Sequence, residues 1–148
     1  MLLLISLHSC SKDENEPQMV IQKTIFEHVA SSMNYSYLTY ALQKTDLDDV
    51  LNGGGDYTLY APNNSAFIGF LMRGGYSSLD EVPTEALKKI LLNHVMAGQI
   101  KYRDFKSGDY LTTASSDVND RPLSMYINQV NMRVTLNGSS RIVQGNVN

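Results

Sequence analysis

Apolar residues in the first third of the chain recur with the period of a helix. In residues 20–33, Ile21, Ile25, Val29 and Met33 fall at every fourth position, and Leu38, Ala41 and Leu42 continue the pattern, which predicts two amphipathic helices. A short third helical turn carries Leu47, Val50 and Leu51, and the glycines of "NGGGD" at residues 52–56 stop it. Residues 57–61 then read as a strand that Pro62 breaks, after which either Asn63 or Asn64 caps a helix running through Phe67 and Leu71. Whichever asparagine is not the cap is expected to contribute little. The clearest helix starts at Pro83 and Thr84 and places Ala86, Leu87, Ile90, Leu91 and His94 on one face.

Beyond residue 99 the period changes to that of strands. Val130, Met132, Val134 and Leu136 alternate with polar Asn131, Arg133 and Thr135, the pattern of one half-buried strand, and Asn137-Gly138 is a strong hairpin signal. Residues 110–113, 123–127 and 141–143 are further strand candidates. Helices come first and strands later, which predicts an α+β fold with an antiparallel sheet.

The two ends of the chain alter this picture. Leu2 to Leu7 are apolar apart from Ser6 but too few to span a bilayer, which takes roughly 20 residues. They suit the end of a secretory signal, and no Lys or Arg precedes Leu2, so residues 1–9 read as the remnant of a signal peptide. Leu7-His8-Ser9-Cys10 resembles the bacterial lipobox, in which the thiol becomes a thioether to diacylglycerol; the competing reading is a chance cysteine. Residues 10–19 would then be a lipidated Cys10 and a flexible polar tether, leaving residues 20–148 as the folded domain. Lys12-Asp13-Glu14 resembles the signal that sends lipoproteins of Bacteroidetes-type bacteria to the outer face of the outer membrane.

Cys10 is the only cysteine, so the folded part has no disulfide, thiol nucleophile or cysteine-ligated metal. With 148 residues, 43% of them hydrophobic, and a net charge of -3, the composition supports one domain with a modest core and no basic face for nucleic acid.

Three segments, in order, resemble the fasciclin-like domain family. "YTLYAPNNSAF" is similar to its first box, a strand leading through Ala61-Pro62-Asn63-Asn64 into a helix at Phe67. "ALKKILLNHVMAGQI" resembles its central helix, and "LNGSSRIVQGNVN", with Asn137 and Gly138, its late hairpin. The resemblance implies a wedge of antiparallel strands in a small sandwich, flanked by N-terminal and central helices. It also implies a non-catalytic role in adhesion or binding of an extracellular protein or glycan, without a cofactor. Animal members often carry Tyr-His at the end of the central helix, a pair linked with integrin recognition; here Asn93 precedes His94. The family's last box, an Asn-Gly-hydrophobic-Ile-His strand, is absent, so the domain is expected to be incomplete at its C-terminus.

Chemistry is sparse elsewhere. His28 and His94 lack metal-type spacing, and His94 reads either as a hydrogen-bonded core histidine or as a recognition residue. "DLDDVLNGGGD" fails as a calcium loop because Val50 and Tyr57 stand at ligand positions, and the triple glycine precedes a strand, the wrong order for a phosphate loop. Tyr35, Tyr37 and Tyr40 either border a core or form an aromatic platform for a partner. The alternatives to a lipid-anchored binding module are an extracytoplasmic enzyme and an accessory subunit of an envelope complex.

Overall fold

The computed structural model describes residues 23–131 and 133–142. Cys10, the signal remnant, the whole of the tether and the final residues from 143 onward lie outside them, as does the expected C-terminal opening of the sheet.

Among the described residues, five α-helices form the N-terminal layer: α1 (Ile25–Ala30), α2 (Ser36–Lys44), α3 (Asp48–Asn52), α4 (Asn64–Gly74) and α5 (Thr84–Leu92). A two-stranded sheet pairs β1 (Tyr57–Leu59) with β2 (Val95–Ala97), antiparallel, with Thr58 opposite Met96. A four-stranded antiparallel sheet follows in the order β3 (Tyr110–Ser116), β4 (Pro122–Val130), β5 (Arg133–Leu136) and β6 (Ser140–Arg141). The fold is α+β, as the change of period predicts.

Helix α1 is shorter than the periodicity predicts because polar side chains bound it. Thr24 Oγ1 accepts the Glu27 N–H at 3.1 Å and Glu27 Oε2 accepts the Thr24 N–H at 2.9 Å, a reciprocal capping box that starts the helix at Ile25. At the other end α1 stops at Ala30, where Ser31 Oγ donates to the His28 carbonyl at 2.8 Å, so Met33 lies beyond it in a 3-10 turn over Met33–Tyr35 and is 91% exposed instead of facing the core. At the other end of the layer, Gly75 closes α4 in the left-handed conformation at φ 70, and the Tyr76 N–H reaches the Leu71 carbonyl at 3.0 Å.

Three sequence expectations shift in the second half of the chain. α5 ends at Leu92, so His94 sits in the turn beyond the helix, and Ala86 and Ile90 are exposed while Leu87 and Leu91 are buried. β2 follows at once, too short to leave a period of its own. The alternation through Val130 spans two strands: the chain reverses after Val130 at Asn131, whose φ of 49 asparagine tolerates better than most residues. Val130 is 58% exposed as a result, whereas Val134 and Leu136 are buried.

Two apolar clusters fill the interior. The first joins Leu38, Ala41 and Leu42 of α2 to Leu51, Phe67, Leu71, Leu87 and Leu91 of the other helices. The second lies under the larger sheet and joins Met125, Ile127, Val134 and Leu136 to Met96 and Phe105. Each fully buried Leu or Ile contributes about 1.5–3 kcal/mol by transfer from water.

Candidate functional site

Helix α2 buries Leu38, Ala41 and Leu42, residues spaced by three and four, and this fixes where its tyrosines point. Tyr37 lies at the core edge, its ring stacked on that of Phe67 with centroids 6.1 Å apart and planes at 20°. Tyr35 is half-buried against the same cluster. Tyr40 is 44% exposed, and its hydroxyl donates to the carboxylate of Asp80. That hydrogen bond is the chief reason the Tyr40 phenol is held above its ordinary range, with lesser contributions from desolvation and from the Asp80 charge. Of the two readings of these tyrosines, Tyr35 and Tyr37 border the core, no ring contact joins the three among the described residues, and Tyr40 is the exposed one.

Two open depressions meet at Tyr40. One, about 310 Å³, is lined by residues that include Ser32, Met33, Ser36, Thr39, Tyr40 and Gln43. The other, about 250 Å³, lies among Ser36, Tyr37, Tyr40, Leu79 and Asp80. Its far wall, the 3-10 turn Leu79–Glu81, is held by Lys44, whose Nζ donates to the carbonyls of Leu79 at 2.7 Å and of Asp80 and Val82 at 3.1 Å. Asp80 and Lys44 escape sequence reading because their partners lie 40 and 35 or more residues away.

Asn93 and His94 occupy a different place, the splice between α5 and the small sheet. Asn93 Oδ1 accepts the Thr113 hydroxyl of β3 at 3.1 Å. His94 places Nδ1 2.8 Å from the Ile90 carbonyl oxygen, which assigns the proton to Nδ1, and its own carbonyl accepts the Tyr60 N–H at 2.9 Å. Among the described residues, no hydrogen bond or ring contact joins this pair to the three tyrosines.

The first-box residues are a folding device. Ala61 and Pro62 are half-buried, Phe67 is buried, and Asn63 is the cap of α4, its Oδ1 accepting the Ala66 N–H at 3.0 Å. Asn64 is far from idle, contrary to expectation. Its Oδ1 accepts the Tyr37 N–H at 3.1 Å, and its Nδ2 donates to the Met33 carbonyl at 2.9 Å and to Ser36 Oγ at 3.0 Å. Asn137 and Gly138 turn the last hairpin with φ of 50 and 73, and Asn137 Oδ1 also accepts the Tyr126 N–H at 2.9 Å.

Among the described residues, no group of three or more His, Cys, Asp or Glu is placed to hold a metal ion, and no helix is long and apolar enough to cross a membrane. In the second core, burial pushes the Tyr60 phenol up to about 12.

The model of the fasciclin domain family matches residues 33–148. Protein sll1483 of Synechocystis sp. (strain ATCC 27184 / PCC 6803 / Kazusa) is 33% identical over 91 residues, 62% of this chain and 51% of that protein. The fold is similar to the FAS1 domain pair from the insect cell adhesion molecule Fasciclin I, with a TM-score of 0.64 at 15% identity over 83% of this chain and 45% of that one. The chain thus spans about half the length of each of these two relatives. With the family model covering most of its length, the chain belongs to the fasciclin domain family.

Proposed function

We propose that this domain is a non-catalytic binding module, anchored by lipid at Cys10 on the outer face of a bacterial outer membrane, that recognises an extracellular protein or glycan through the surface around Tyr40. Fasciclin domains act in general as adhesion or binding modules, and the insect relative in structure is a cell adhesion molecule. The observation that carries the reading is the setting of Tyr40: an exposed ring with its hydroxyl oriented by Asp80, bordering two open depressions beside the exposed Met33. An oriented amphipathic ring with little entropy to lose is the kind of side chain that anchors an interface. Anchoring rests on Leu7, Ser9 and the only cysteine standing in lipobox order.

Two measurements test it. Beads coated with the full chain should adhere to partner cells or matrix, and Tyr40→Ala with Met33→Ser should cut adhesion at least tenfold when measured well below the melting temperature of the variant. Unchanged adhesion places the site elsewhere. Intact mass of the membrane fraction should show an acylated chain starting at Cys10; a Cys10→Ala protein that stays equally membrane-bound overturns the anchor.

A further inference from the structure

The outward face of the larger sheet is a second surface with its own chemistry. Strand alternation sends Met125, Ile127, Val134 and Leu136 into the core, so Tyr126, Asn128 and Val130 of β4 and Arg133 and Thr135 of β5 face the other way. The register aligns them in rows. Tyr110 stands opposite Tyr126 at one end, their ring centroids 5.0 Å apart and tilted by 47°, and Tyr110 is 70% exposed. Asn128, Thr135 and Arg141 form the next row, and Arg133 lies opposite Val130 beyond it, each row about 7 Å further along the strands. None of these outward positions carries an acidic side chain. Arg133 and Arg141 have no carboxylate partner among the described residues, although the chain as a whole has a net charge of -3.

We infer that this face binds an anionic polysaccharide, one bearing uronate carboxylates or sulfate esters. The proposal rests on the reading of the domain as a binding module and names a ligand class for a surface separate from Tyr40. Three features converge on it. The Tyr110–Tyr126 pair offers an aromatic surface, exposed at Tyr110 and half-buried at Tyr126, for the apolar face of a sugar ring. Asn128 and Thr135 are half-buried and already engaged, Asn128 Oδ1 accepting the Ser107 hydroxyl at 3.2 Å and the Thr135 hydroxyl donating to the Asn128 carbonyl at 3.3 Å, which leaves the Asn128 Nδ2 to donate and the Thr135 oxygen to accept from sugar hydroxyls. Arg133 and Arg141 supply planar guanidinium forks that match carboxylate or sulfate oxygens, and two positive charges without acidic neighbours on an otherwise acidic protein select for an anion. The rows run in one line along the strands, which favours an extended chain over a compact ligand.

Affinity electrophoresis of the full chain in gels containing alginate, with neutral dextran as control, tests the inference. Alginate should retard the protein and dextran should not. Retardation should fall at least tenfold in Arg133→Gln/Arg141→Gln and in Tyr110→Ala, and persist in Tyr40→Ala. No retardation by alginate or by dextran sulfate overturns the inference. So does retardation that the arginine pair abolishes but Tyr110→Ala leaves intact, since that is plain polyanion attraction without sugar stacking. The proposal around Tyr40 falls separately, through the bead assay, so the two failures are distinguishable.

Discussion

Asn64 Oδ1 accepts the backbone N–H of Tyr37 at 3.1 Å, so one side chain at the start of α4 also organises the start of α2. Its neighbour Asn63 does the ordinary work of the cap. Asn63→Ala should cost about 0.5–2 kcal/mol. Asn64→Ala strands a half-buried amide and removes two donors, and should cost as much or more, about 1–3 kcal/mol. Urea unfolding followed by circular dichroism ranks the two. A silent Asn64→Ala would mean that water replaces the amide at no cost.

Lys44 gathers three carbonyls around one ammonium. Lys44→Met keeps the length of the stem and removes the charge and the donors. The expected loss is about 1–3 kcal/mol, because hydrogen bonds to a charged group are worth more than neutral ones. Hydrogen exchange should quicken first at Glu81 and Val82, whose amides close the 3-10 turn that the ammonium holds.

Tyr40 and Asp80 give a pH dependence with a definite sign. The phenol is raised above its ordinary 10.0 chiefly because its neutral form donates to Asp80. A group raised on folding contributes stability that is complete below its unfolded value and lost as pH rises through its folded value. Difference absorbance of the phenolate between wild type and Tyr40→Phe should show Tyr40 titrating above 10.0, and Asp80→Asn should lower it. If Asp80→Asn leaves the titration in place, the hydrogen bond is not its cause.

How far the sequence carries this protein depends on the range of the interactions involved. Local chemistry is legible: Pro62 and the asparagines after it announce the turn into α4, and Asn137-Gly138 announces the last hairpin, because cap and turn act within four residues. Periodicity misleads where an accident of spacing crosses a boundary. Met33 continues the beat of α1 past its end, and Val130 continues the beat of β5 back across the turn at Asn131. The Tyr40 surface is half legible, since the tyrosine is visible but Asp80 arrives from 40 residues away. The outward sheet face is not legible at all, because Tyr110 and Tyr126, or Asn128, Thr135 and Arg141, become neighbours only through strand register.

Tyr60 supplies the last prediction. Its ring lies 6.1 Å from that of Phe105 in the second core, and its hydroxyl is buried without a hydrogen-bond partner among the described residues. Burial disfavours the phenolate and pushes the group up to about 12. Tyr60→Phe keeps the ring contact and deletes an unpaired polar group, so at pH 7 the variant should match or exceed wild type, by up to about 1–2 kcal/mol. The advantage should grow in alkali. The unfolded chain gains a phenolate from pH 10 upward that the folded chain resists until about 12, so wild type loses this contribution across that window and the variant has none to lose. The chain has nine tyrosines, so only the difference between the two proteins isolates this one. Urea midpoints at pH 7, 9 and 11 make the comparison. A variant clearly less stable at pH 7 would show that the hydroxyl does have a partner, an ordered water being the simplest.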